Sequence, residues 1–464
     1  ARTGSDGEEK RPSFLIERLR MMFPGLRALE EEALAGCFRL AAPRPALEQA
    51  GIRPNVLKTL KTIPEYAPMA ERIERAGSWE RGSLSRSAVE ALYGKRVPMS
   101  ASRMDRYKSC HFSYFMQFGL KAKPRQSAGF HAPEYGTFVH YVLEHVFREA
   151  KRGEDKTHLH RLARRAVDRY VAEELGGLEE QTPRFQYLFR RLLRSVYLVV
   201  ENVAEELEAS SFTPISFELG FGEKGDLPPV ELTAHGVTLS ISGFVDRVDG
   251  WMRGDKLYLR VVDYKTGRKT FDLTEIWNGI GLQMLLYLFA LERKGKSLYG
   301  EDVVPAGVLY LPAREPMIAG SRSMPEEQRR RAVDQALRRR GLLINDPEVL
   351  SAMEKQAESG MRFLPVKLSA RTGAITGDSL VSAEQMGRLG THIQKMLDEI
   401  CRELASGSIS ADPFWRGPER NACLYCDYAA ACHFEEGRGG DIKRWLPTVS
   451  NQEFWSKIDG FASD

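Results

Sequence analysis

The residues best suited to chemistry lie between positions 243 and 265: Gly-Phe-Val-Asp-Arg-Val-Asp-Gly, a gap, then Val-Val-Asp-Tyr-Lys. Residues 237–248 are β-branched and aromatic with partial alternation, which predicts a strand. Asp249-Gly250 and Gly254-Asp255 read as turn signals, and residues 257–264 as a second strand. Side chains alternate faces along a strand, so Asp263 and Lys265 point the same way. If the strands pair about the turn, Asp246 approaches Asp263, and two carboxylates and an ammonium group converge at one sheet edge. Such a set suits a hard cation such as Mg²⁺, with a fixed positive charge beside it. Surface hairpins often carry Asp and Lys with no such role. Here, however, Asp263 ends an apolar run of Leu257, Leu259, Val261 and Val262, where an unpaired carboxylate is costly.

The second constellation is Cys423-Leu-Tyr-Cys426 with Cys432, a C-x2-C-x5-C spacing typical of metal sites. A tetrahedral thiolate site needs a fourth ligand, for which His433, Cys37, Cys110 and Cys401 are candidates. Four thiolates hold either zinc or an iron–sulfur cluster, and spacing alone favours zinc.

The elements that must position these residues follow from periodicity. Residues 12–93 read as helical with breaks at Pro24, Pro43, Pro45 and Pro64. Ser102 is placed to cap a helix running through Phe118 that carries Cys110. Glu134-Tyr-Gly-Thr opens a helix whose buried face is Val139, Val142, Leu143, Val146 and Phe147, with His140 and Glu144 sharing another side. Residues 151–208 continue as charged helices. Their arginines (Arg161, Arg164, Arg165, Arg169, Arg190, Arg191, Arg194) suit a phosphate backbone or a solvated face equally well. Strands follow from Phe212, with a hairpin about His235-Gly236. Residues 280–293 form an apolar helix with Gln283 and Tyr287 four apart, and residues 306–311 a short buried strand. Residues 324–341 read as a basic helix, 362–382 as a hairpin and 382–405 as a long helix. The order implies an α/β fold: helices flanking a small mixed sheet.

The chain has 464 residues, enough for two or three domains. A net charge of +4 means that any nucleic-acid surface arises from local clustering. Six cysteines do not make a secreted disulfide scaffold. The start lacks Met and an apolar leader, and the longest apolar stretch, within residues 280–291, is too short to span a bilayer. The expectation is a cytoplasmic protein with no membrane partner.

The segments SASRMDRYKSC, EYGTFVHYVLEHV, GFVDRVDG, VVDYKTG, GLQMLLYLFAL, AGVLYL and CLYCDYAAACHF, in this order, resemble the C-terminal region of the AddB family. AddB is the second subunit of a bacterial helicase–nuclease that processes DNA double-strand breaks, and its nuclease is of the RecB-like PD-(D/E)xK type. The resemblance implies a restriction-endonuclease-like core. It divides the chain into a helical region at residues 1–98, the remnant of a helicase-like part, a nuclease domain at 99–434 closed by the cysteines, and a tail at 435–464.

It also implies roles. His140, Asp246 and Asp263 become ligands of Mg²⁺ or Mn²⁺, joined by the backbone carbonyl of Tyr264. Lys265 becomes the residue that activates the attacking water, while Gln283 and Tyr287 support the site and contact DNA. Cys110, Cys423, Cys426 and Cys432 become ligands of a four-iron four-sulfur (4Fe-4S) cluster, which displaces the zinc preference and leaves Cys37 and Cys401 as ordinary buried thiols. The cluster would close a loop of over three hundred residues.

The implied function is metal-dependent exonuclease action on single-stranded DNA entering 5′ end first, beside an AddA-like helicase subunit. Two alternatives share the motifs: a nuclease-idle DNA-binding partner of a helicase, and a stand-alone iron–sulfur exonuclease of the CRISPR-adaptation type. Gly295-Lys296-Ser297 looks like the tail of a phosphate loop, but Ala290 stands where the first glycine belongs, so no ATP site is assigned. The expectation is a C-terminal fragment or a naturally short relative.

Overall fold

Long runs of β-branched and aliphatic residues between 213 and 344, joined by the short segment Leu380–Val381, build a six-stranded mixed sheet. Its strands, with those of a smaller sheet, are β1 (Arg96–Met99), β2 (Thr213–Phe221), β3 (Val230–Ala234), β4 (Val237–Ile241), β5 (Gly243–Arg253), β6 (Lys256–Lys265), β7 (Asp302–Pro312), β8 (Arg340–Ile344) and β9 (Leu380–Val381). The large sheet has the order β9-β8-β7-β6-β5-β2, and the small one β1-β4-β3. β6 and β7 are parallel, whereas β2, β5 and β6 are successively antiparallel. The computed structural model describes residues 13–27, 39–78, 80–123, 132–174, 176–177, 183–267, 270–320, 323–355, 361–369 and 372–460. Cys37 lies outside them, as does the side chain of Arg190.

Alternation along β6 sorts its side chains between two cores. Leu259 and Val261 pack with the helix Gln283–Lys294 and the helix Ala383–Ala405. Val262 and Tyr264 face the other way, among helices Ala132–Glu149, Lys156–Glu174 and Pro183–Ala209. Each face buries a continuous apolar layer, the main favourable term in such a fold. Between β5, β6 and helix Pro183–Ala209 sits a fully buried charge network. Arg247 and Arg260 donate to Asp249 at 3.0 and 2.8 Å, and Arg339 donates to Glu206 at 2.8 Å. Burial pushes the Glu206 carboxyl up, but Arg339, Arg260 and Arg247 outweigh it and hold it down at about 2.

Several local expectations are corrected. Asp249-Gly250 is not a turn but the middle of β5, because Asp249 is the buried partner of two arginines and a Cβ at Gly250 would meet Ile215 and Leu257. The turn is at Gly254-Asp255 alone. The stretch 237–248 is two strands in different sheets, divided at Ser242. The capping hydroxyl belongs to Ser100, which accepts from the amide of Arg103 at 3.3 Å, and that helix ends at Ser109 instead of Phe118. Pro43 and Pro45 open a helix (Pro43–Ile52) instead of breaking one, as proline does in a first turn. The basic helix stops at Leu337, and Arg340 starts β8.

The chain divides into two compact units, one of them assembled from residues 1–83, 110–112 and 409–445. In that unit the helices Pro43–Ile52, Pro54–Lys61 and Ala67–Gly77 share a small core of Ala46, Ala50, Leu60 and Ala70. The other unit contains both sheets. No described helix is long and apolar enough to cross a membrane.

Candidate active site

β5 and β6 pair from Arg253↔Lys256 to Arg247↔Val262 and then part. Beyond that point the backbone of Tyr264 faces β5 without a ladder partner, and two side chains take its place. Its amide donates to Asp246 Oδ2 at 2.7 Å, and its carbonyl lies 2.9 Å from His140 Nε2. Asp246 Oδ1 in turn lies 3.4 Å from His140 Nδ1. Asp263 and Lys265 share a face of β6, as alternation predicted, and form an ion pair at 2.5 Å. The Lys265 ammonium also lies 5.5 Å over the Tyr310 ring on β7. The two aspartates therefore flank a fork between two central strands, not a sheet edge as expected, and Asp263 feels the charges of Asp246 and His140 without joining the tight ligand cluster there.

The structure adds a residue that sequence reasoning missed. Glu218 on β2 lies directly across from Asp246, between the pairs Phe217↔Arg247 and Leu219↔Val245. Ligand atoms of His140, Glu218 and Asp246 all come within 4.8 Å of one another. Glu218 has a φ of +48°, rare for a non-glycine residue and common where a strand must aim a functional side chain. Its signal was hidden because β2 and β5 are separated in sequence by the β3–β4 hairpin, so their register is not local.

The charges in the fork oppose one another. Burial and then the Asp246 charge push the Asp263 carboxyl upward, against the pull of Lys265. Glu218 is raised to about 7 by burial and by Asp246. Burial disfavours the His140 cation, but Asp246, the Tyr264 carbonyl and Asp263 outweigh it and lift the ring to about 9. Clustered carboxylates that cannot all ionise comfortably are what a hard divalent cation relieves, and the donor set of carboxylate, carbonyl and imidazole suits one.

Gln283 and Tyr287 lie one turn apart on their helix. The buried Tyr287 hydroxyl lies near Gln283 and the backbone of Phe244, and its ring stacks 5.5 Å from Phe221. A Cβ at Gly243 would lie 1.8 Å from that hydroxyl, so only glycine lets β5 start there. Beside Lys265, at the carboxyl ends of the parallel pair β6–β7, a cleft is lined by Tyr310, Pro312, Arg314, Met317 and Arg340.

In the other unit, Cys110 joins Cys423, Cys426 and Cys432. All four are thiols, not disulfides. Burial most of all, then the charges of Cys110 and Cys426, raise the Cys423 thiol to about 11. Asp412 anchors the residue after Cys110, accepting from the His111 amide at 2.8 Å, and also receives Arg444 at 3.0 Å. Cys401 lies elsewhere, fully buried beside the backbone of Ala234 and Leu239.

Residues 98–433 match the PD-(D/E)XK nuclease superfamily, and the chain belongs to it. Members of that superfamily typically depend on a divalent metal. More narrowly, the chain is 30% identical over 97% of its length to the B subunit of the ATP-dependent helicase/deoxyribonuclease of Acetivibrio thermocellus. It is 29% identical over 98% to the B subunit of the same enzyme in Clostridium novyi, and 32% identical over 85% to that of Desulforamulus reducens. It spans 42% of the length of the first two relatives and 35% of the third.

Proposed function

We propose that this chain is a DNA exonuclease that uses Mg²⁺ or Mn²⁺ to hydrolyse phosphodiester bonds of single strands. It would serve as the nuclease part of a helicase–nuclease that processes double-strand breaks for recombination. The observation that carries this reading is the cluster of His140, Glu218 and Asp246 with the Tyr264 carbonyl, next to the Asp263–Lys265 ion pair. A divalent ion held by these groups would supply charge that polarises a phosphoryl oxygen.

The chain's own residues account for the rest. Asp246 fixes both the imidazole and the Tyr264 amide, so the donors are arranged before substrate arrives. Lys265, braced by Asp263, places an ammonium group where negative charge develops on the phosphoryl oxygens and on the attacking water. Glu218 adds a carboxylate from the β2 side. Gln283 and Tyr287 support the start of β5. Arg314 and Arg340 in the adjoining cleft suit the phosphates flanking the scissile one.

We read the cysteine quartet as holding a 4Fe-4S cluster that staples residue 110 to segment 423–432. Cys110, Cys423, Cys426 and Cys432 are free thiols in one compact unit, and Cys423 feels the charges of Cys110 and Cys426, a donor set that fits such a cluster. The relatives are named as B subunits of an ATP-dependent helicase/deoxyribonuclease, which supports a complex with an AddA-like helicase partner.

The test is a metal titration with 5′- and 3′-labelled single-stranded DNA and anaerobically purified full-length chain. Progressive shortening in Mg²⁺ or Mn²⁺ is expected, and the label that disappears first reports polarity. Binding without cleavage in either metal would favour the nuclease-idle DNA-holding partner instead.

A further inference from the structure

Arg81 has no role in the nuclease fork, yet it is enclosed and held from several directions. Its side chain is 6% exposed, and that of its partner Asp441 is 4% exposed. Nε and Nη2 grip the two Asp441 oxygens at 2.6 and 3.0 Å. Nη2 also donates to the carbonyl of Cys432 at 2.6 Å and reaches the Cys432 sulfur at 3.6 Å. The guanidinium lies 4.5 Å over the ring of Phe112, two residues past Cys110. Its own amide donates to Gly439 at 3.3 Å. One residue thus touches the segment of Cys110, the segment of Cys432 and the loop at 439–441.

A buried ion pair is weak evidence for stability, because desolvation offsets much of its attraction. A planar fork whose Nη2 gives one N–H to Asp441 and shares the other between the Cys432 carbonyl and the Cys432 sulfur has a clearer use at a metal centre. Hydrogen bonds and positive charge at ligating sulfurs stabilise the more negative, reduced state, and partners of the ligands orient them. Asp441 fixes the guanidinium so that this donor cannot swing away, which a lysine could not reproduce.

We infer that Arg81 is a positioning residue for the group bound by the cysteine quartet, donating to the Cys432 sulfur and clamping that ligand to the Cys110 segment. This rests on the reading of the quartet as a 4Fe-4S site. The consequences are a higher reduction potential and slower loss of the cluster than the four thiolates alone would give.

The experiment compares wild type, Arg81→Gln, Arg81→Lys and Asp441→Asn as anaerobically purified full-length proteins. Iron and acid-labile sulfide are counted, decay of the cluster absorbance is followed in EDTA, and the midpoint potential is read by EPR during dithionite titration. Arg81→Gln is expected to lose the cluster about 10- to 100-fold faster, the usual cost of removing a ligand's partner, and to show a lower potential. Arg81→Lys keeps the charge, so it should hold the potential nearer wild type while still losing the cluster faster. If Arg81→Gln misfolds, Asp441→Asn tests the same clamp, with faster loss expected. Wild-type decay and potential in Arg81→Gln, or wild-type decay in Asp441→Asn, would overturn the inference. Wild-type protein containing zinc and no sulfide would instead reject the cluster reading, and the assignment of Arg81 with it.

Discussion

Replacing Gly243 by alanine perturbs the site without touching any of its proposed ligands. The new Cβ would sit 1.8 Å from the Tyr287 hydroxyl and 2.8 Å from the ring carbon that bears it. To reach ordinary contact, β5 and the helix of Tyr287 must part by about 1.5 Å. Tyr287 cannot easily swing aside, since it is buried and stacked on Phe221. Overpacking of this kind costs about 1–3 kcal/mol. Asp246 is three residues along the same strand, and a shift of order 1 Å in a catalytic group costs about 100-fold in rate. Urea unfolding and single-strand cleavage would be measured on Gly243→Ala, Tyr287→Phe and the double variant. Removing the hydroxyl removes the shortest clash, so the double variant should be more stable than the sum of the singles implies, by about 0.5 kcal/mol or more. A Gly243→Ala protein with wild-type stability and cleavage, or strict additivity in the cycle, would refute the packing argument.

Three further outcomes follow from the same geometry. Glu206→Gln should destabilise the fold by about 3–5 kcal/mol, because it leaves buried arginines unbalanced; urea titration measures it. Because the folded Glu206 carboxyl is depressed, its contribution is complete above the usual glutamate range and is lost as pH falls toward about 2. The variant should therefore lack the part of the wild-type acid transition that falls in that window. Glu218→Gln should weaken Mn²⁺ binding about tenfold or more by calorimetry while leaving the melting temperature of the metal-free protein within a few degrees. Arg314→Ala with Arg340→Ala should raise the KM for oligo-dT with little change in kcat, and reduce the salt slope by about 0.7 per arginine.

What could be read from the sequence was set by how local each constraint is. The facing of Asp263 and Lys265 needs only strand alternation, and it held. The long C-terminal helix carries its own start signal, Ser382 with Gln385 in a reciprocal cap, and it begins where expected. His140 was brought to the aspartates by the family resemblance, since nothing in its helix indicates which strand it faces. Asp249-Gly250 misled because a buried aspartate serving two arginines has the same spelling as a turn. Glu218 was invisible because its partner strand lies beyond an inserted hairpin. Arg81 was missed because its partners Cys432 and Asp441 are more than three hundred positions away.

The central claim is that one divalent ion sits in the fork between β5 and β6. Anomalous scattering from crystals of the full chain soaked in Mn²⁺ tests it most directly. The account requires a peak within about 2.0–2.3 Å of oxygens of Asp246 and Asp263 and a nitrogen of His140, with the Lys265 ammonium alongside. A fork without a peak at saturating Mn²⁺, or a peak bound only by residues outside it, would contradict the claim.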